Sequence, residues 1–158
     1  MVTRLPSAAR KVVAKWTGLD LSIRPGTAPA LLEGFEARSG LVLPSDLREF
    51  LELTNGVDSD DHGFSFWPLE AYESFSRQHA RHAVGCPGVP EPDRYHVFCD
   101  YLHWSWAYAI RLGRAGDTDS GGRVVPVGMT QMFTVANSFT EFVDLYLNDS
   151  SGLYPPEE

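Results

Sequence analysis

Apolar residues recur at helical spacing in the first third of this chain and at every second position in its later part. Ala9, Val12, Val13 and Trp16 share one side of a helix running from Ser7 toward Thr17-Gly18. Leu31, Leu32 and Phe35 stripe a second helix, which starts at Thr27 or Ala28 and stops at Gly40. Leu47, Phe50 and Leu51 line a third, entered through Pro44. Ser45 stands where a cap belongs, and Asp46 and Glu49 lie near the positive end of the helix dipole. Asn55-Gly56 suits the left-handed turn that ends such a helix. Phe64 to Trp67 predicts a short strand stopped by Pro68, and Leu69, Tyr72 and Phe75 a helical turn or two.

A Pro-rich connection over residues 83–92 precedes a strand pattern from Tyr95 to Leu102. Trp104, Trp106, Tyr108, Ile110 and Leu112 then alternate with small residues, which predicts a strand with one bulky face and one face open to close packing by a helix. Beyond the polar turn region Gly113 to Gly122, Val124 to Val127 and Met132 to Val135 read as a hairpin. Ser138 and Glu141 form a capping box for a last helix bearing Phe139, Phe142, Val143, Tyr146 and Leu147. Helices, then strands, then a closing helix predict α+β: a mainly antiparallel sheet of about five or six strands, with N-terminal helices and a C-terminal helix. At 158 residues the chain reads as one domain, 1–158.

Composition narrows the classes. Apolar content of 43% and aromatic content of 12% argue for a folded globule. No apolar run is long enough to span a bilayer, and basic residues interrupt the short apolar stretch near the N-terminus, so a cytoplasmic location is expected. Cys86 and Cys99 are then expected as reduced thiols. The net charge is −8, and beyond residue 27 only 8 basic residues face 20 acidic ones. That balance repels phosphate backbones and argues against direct nucleic-acid binding, while it favours capture of a basic protein. Plain solubility is the competing explanation.

No complete active site emerges. His79, His82 and Cys86, followed by His96, Cys99 and His103, have ligand-like spacings, but the paired ligand couples of a zinc site are missing, so no metal or other cofactor is expected. The loop from Asp58 to Gly63 fails as a calcium loop because Leu69 occupies the position of the bidentate Glu. Cys86 lacks an oxyanion hole, and Asp100 with His103 reads as structural rather than as an acid–base pair.

Five segments in order carry a family resemblance: Leu43 to Gly56, Gly63 to Glu70, Val97 to Tyr101, Trp106 to Ile110, and Val135 to Phe142. Together they resemble the SUKH superfamily, the Smi–Knr cell-wall-regulator type of domain. The likeness covers a core of about 28–147, leaving residues 1–27 as a helical extension. It implies an α+β fold and no catalysis. In bacteria such domains are similar to immunity proteins that neutralise toxin domains, often nucleases; fungal relatives resemble signalling scaffolds. The strong preference for Arg over Lys reads as bacterial. The expected function is toxin neutralisation by protein–protein contact, with an intracellular scaffold or regulator as the alternative, a His/Cys metal-binding protein as a further one, and oligomeric state open. Expected contact residues are the acidic Asp58, Asp60, Asp61, Asp117 and Asp119, which would steer a basic partner, and Tyr101, His103 and Trp104, which would anchor it.

Overall fold

A computed structural model describes residues 7–60, 62–74, 91–116, 121–128 and 133–154. The described helices are α1 (Ala8–Gly18), α2 (Pro29–Ser39), α3 (Ser45–Leu53) and α4 (Phe139–Leu147). The strands are β1 (Leu41–Val42), β2 (Phe64–Phe66), β3 (Glu73–Ser74), β4 (Tyr95–Tyr101), β5 (Trp106–Arg114) and β6 (Gly121–Val127), all antiparallel where they pair. The expected α+β class and strand number are met.

The sheet is organised by the β4–β5 hairpin. A strand has two edges, so β2 and β3 share the outer edge of β4, and β1 and β6 share that of β5. A β-bulge between Val97 and Cys99 breaks the alternation of β4. It turns Phe98 and Cys99 to the same, helix-covered core, beside Tyr108, Ile110 and Leu112 of β5. The small residues Ala107 and Ala109 face the other way, into a second cluster with Tyr95, Val97, Val125 and Val127. Among the described residues it is Trp67 and Trp104, rather than a helix, that pack against this second cluster.

The helices dock through ends as much as through faces. Ser138 caps α4 as its sequence predicts, accepting from the Glu141 amide at 3.0 Å. Ser45 does not cap α3: it is the first helical residue, and Pro44 occupies the cap position without a side-chain bond. The acids of α3 serve its neighbours instead. Asp46 accepts from the Thr140 amide and hydroxyl, both at 2.9 Å, at the start of α4. Glu49 accepts from the Ser7 hydroxyl at 2.6 Å, at the cap of α1. Helix α1, read above as an extension, supplies a fully buried Trp16 whose ring meets Phe66 at 5.0 Å and Phe50 at 5.9 Å.

The Asn55-Gly56 stop works differently from its sequence reading. Only Gly56 takes a left-handed φ, at +97°, and a Cβ there would lie 2.2 Å from the Phe66 carbonyl oxygen. Asn55 is instead a junction: its Oδ1 accepts from the Thr27 hydroxyl and the Leu69 amide, and its Nδ2 donates to Glu70. The hairpin expected from Met132 to Val135 reduces, among the described residues, to an isolated bridge between Val124 and Ala136.

His96 on β4 is 7% exposed, lies 5.5 Å from the Phe35 ring, and leaves Nδ1 without a hydrogen-bond partner. Burial pushes its pKa down to about 4, partly opposed by the Arg94 backbone and the Asp93 charge. The unfolded chain therefore takes up this proton first, near its ordinary value of about 6.5. Stability is complete above that pH and declines as pH falls toward 4. Chemical denaturation should show a loss of about 2–3 kcal/mol between pH 7 and 4.5 that His96→Phe removes. An equal loss in the variant would assign the acid sensitivity elsewhere. Trp16→Ala should cost about 3–5 kcal/mol by the same measurement.

Candidate functional site

The turn closing the β4–β5 hairpin has an uncommon backbone. Leu102, His103 and Trp104 take φ values of 49°, 50° and 70°, three successive non-glycine residues in the left-handed region. Such conformations are costly and persist only where surroundings hold them. Here the Leu102 amide donates to the Gly63 carbonyl at 2.9 Å, and the Ser105 amide to the carbonyls of Tyr101 and Leu102. Gly63 is part of this fit, since a Cβ there would meet Leu102 Cδ2 at 2.6 Å.

The turn corrects one expectation. Trp104 is not on the strand, so it does not point the same way as Trp106. It packs against Trp67 at 5.7 Å, on the side of the second cluster. Trp106, the first residue of β5, packs on Tyr101 at 4.6 Å and on Tyr154 at 6.4 Å, on the helix side. The hairpin end is thus ringed by half-buried Trp67, Tyr101, Trp104, Trp106 and Tyr154, with Leu102 at its apex 47% exposed and His103 exposed beside it. Tyr101, His103 and Trp104 thus stand together at this end. Leu102 and Tyr154 are not among the expected contacts, because exposure of an apolar residue is decided by the tertiary fold rather than by residue type.

The acidic candidates fare differently. Asp58 is exposed, its side chain 86% accessible, but it pairs with the Arg24 guanidinium. That pairing offsets its charge. Asp60 is 8% exposed and belongs to the interior. Its Oδ1 accepts from the amides of His62 and Phe64, both at 2.8 Å, and its Oδ2 accepts from the Tyr146 hydroxyl. Tyr146 in turn accepts from the Trp16 indole at 2.9 Å. Burial and the Asp60 carboxylate raise the Tyr146 pKa far above its usual range, so the phenol stays a donor. The expectation that Asp60 meets a partner is therefore corrected: its carboxylate shapes the loop from within. Asp61, Asp117 and Asp119 lie outside the described residues.

Arg24 also donates to the carbonyls of Asn55 and Phe66. With Asp58, Ser65, Trp67, Pro68 and Asp100 it borders a cleft of about 290 Å³. Asp100 is 8% exposed and accepts from the Trp67 indole Nε1 at 2.7 Å. Asp100 is thus held by Trp67 and makes no pair with His103, which stands on the exposed turn. Cys99 is buried, and desolvation first, then the Asp100 and Asp60 charges, pushes its thiol pKa up, away from nucleophilic chemistry. Among the described residues no three His, Cys, Asp or Glu side chains gather to hold a metal ion. His79, His82 and Cys86 lie outside them.

Asp60→Ala leaves two amides and a phenol without their acceptor. It should destabilise the protein by about 2–4 kcal/mol in urea unfolding, whereas Asp58→Ala should change stability by less than about 1 kcal/mol. Equal small effects would mean that the Asp60 bonds carry little of the fold.

The order of helices, bulged hairpin and capped last helix agrees with a match to a family model. Comparison with curated proteins returned no match. The family match runs over residues 26–145, from the loop before α2 to the body of α4, leaving α1 outside although its Trp16 completes the core. By that match, over most of its length, the chain belongs to the SMI1 / KNR4 family (SUKH-1).

Proposed function

We propose that this protein is an immunity protein, which binds a bacterial toxin domain and blocks it by contact, with no bond-making step of its own. Family membership supports a protein-binding role. The observation that carries the reading is the concentration of half-exposed aromatics around Leu102 at the hairpin end. Trp and Tyr dominate the desolvated centres of protein interfaces, and a turn already locked in place lowers the ordering cost of binding. The net charge of −8 favours a basic partner over a distance, as a toxin domain that handles nucleic acid would be. Asp58 remains a proposed steering residue; it lines the cleft beside Trp67. Asp61, Asp117 and Asp119 remain proposed steering residues, and Tyr101, His103 and Trp104 proposed contacts.

A regulatory scaffold would use the same face with a partner made by its own cell. The genomic neighbour separates the two readings. Co-expression with an adjacent toxin gene should restore growth under the first, and no rescue would favour the second. Within the first, Trp104→Ala and Leu102→Asp should each weaken the complex by about 10- to 100-fold in titration calorimetry while leaving the fold intact. Unchanged affinity in both would remove the hairpin end from the interface. Association should slow as salt rises.

A further inference from the structure

The cleft beside Trp67 has a property that the aromatic end lacks. Its wall carries one ion pair, Arg24 with Asp58, whose charges offset each other. That leaves Asp100 as the uncompensated charge among the described residues bordering the cleft. Asp100 is more than nine-tenths buried, and the Trp67 indole is the one hydrogen-bond donor to its side chain, on Oδ2. Oδ1 is left without a partner in a group that borders open space. Oδ1 therefore opens on the cleft, and a cation brought there would add a charge-assisted bond that the single neutral donor on Oδ2 does not supply.

The surroundings define the cation. Trp67 and Pro68 give apolar surface for an alkyl stem, and an indole is the best aromatic neighbour for a charged head. The cleft has room for a long side chain. The exposed Asp58 is among its lining residues, and the Trp67 ring that borders it packs on Trp104 of the hairpin end. We propose that this cleft is a socket for a lysine or arginine side chain of the protein partner, with Asp100 as its buried anion and Trp67 as its wall. The proposal rests on the protein-binding reading and names the group on the partner that is recognised.

The probe is an end-blocked Gly-Arg-Gly tripeptide, with the citrulline peptide as its neutral isostere. Both are titrated into the isotopically labelled full chain while the Trp67 indole Nε1–H resonance is followed. The arginine peptide should shift that resonance saturably. The citrulline peptide should bind about tenfold more weakly or less, as should the arginine peptide with Asp100→Asn, which keeps an acceptor for Trp67 but loses the charge. Asp58→Asn should weaken the peptide less, since that charge is already paired. Equal response to both peptides, indifference to Asp100→Asn in a variant whose spectrum stays folded, or no shift at all would each overturn the socket. Free ethylguanidinium matching the peptide in affinity would overturn it as a site for a protein side chain, leaving a small-cation site. A partner complex that survives Asp100→Asn unchanged would refute the socket while leaving the interaction reading intact, whereas failure to form any complex with the partner would defeat the interaction reading itself.

Discussion

The buried line of bonds from the Trp16 indole to the Tyr146 hydroxyl to the Asp60 carboxylate joins the three parts on which the rest of the molecule depends. Trp16 belongs to α1, Tyr146 to α4, and Asp60 to the loop before β2. Each group is costly to bury alone, and each is satisfied by the next. The rings of Trp16 and Tyr146 also close on Phe66, at 5.0 and 5.1 Å, so polar pairing and apolar packing support the same arrangement. Asp60 passes this order outward, because its other oxygen holds the amides that lead into β2.

From there the constraint reaches the surface. β2 runs beside the end of β4, with Phe64 opposite Tyr101. Gly63, just before β2, accepts the Leu102 amide and makes room for its side chain. A strained three-residue turn is thus braced by an element that the core holds in place. An exposed Leu and a ring of aromatics on such a turn have little freedom to lose when something docks on them, and this makes the end suited to recognition.

Charge is distributed by function rather than by count. A strongly acidic chain places some of its carboxylates where they organise helices: Asp46 at the start of α4, Glu49 at the cap of α1, Asp60 inside the loop. Asp58 carries its own counter-ion. The net charge of −8 is therefore not held in one acidic loop, while Asp100 is, among the described residues, a largely buried carboxylate with one neutral side-chain donor.

By itself the sequence determined the α+β class, the three early helices, the bulky face of β5 and the Ser138 cap, since each follows from local periodicity or chemistry within a few residues. The family pattern was legible for the same reason, its segments being mostly core and turn. Tertiary structure alone decided which aromatics and acids face outward. The path of the β4–β5 turn sent Trp104 and Trp106 to opposite sides. A contact 86 residues away turned Asp60 inward. The register of β4 against its neighbours put a partly satisfied Asp100 beside a cleft. Burial and pairing arise from residues distant along the chain, so the identity of a side chain carries no record of them.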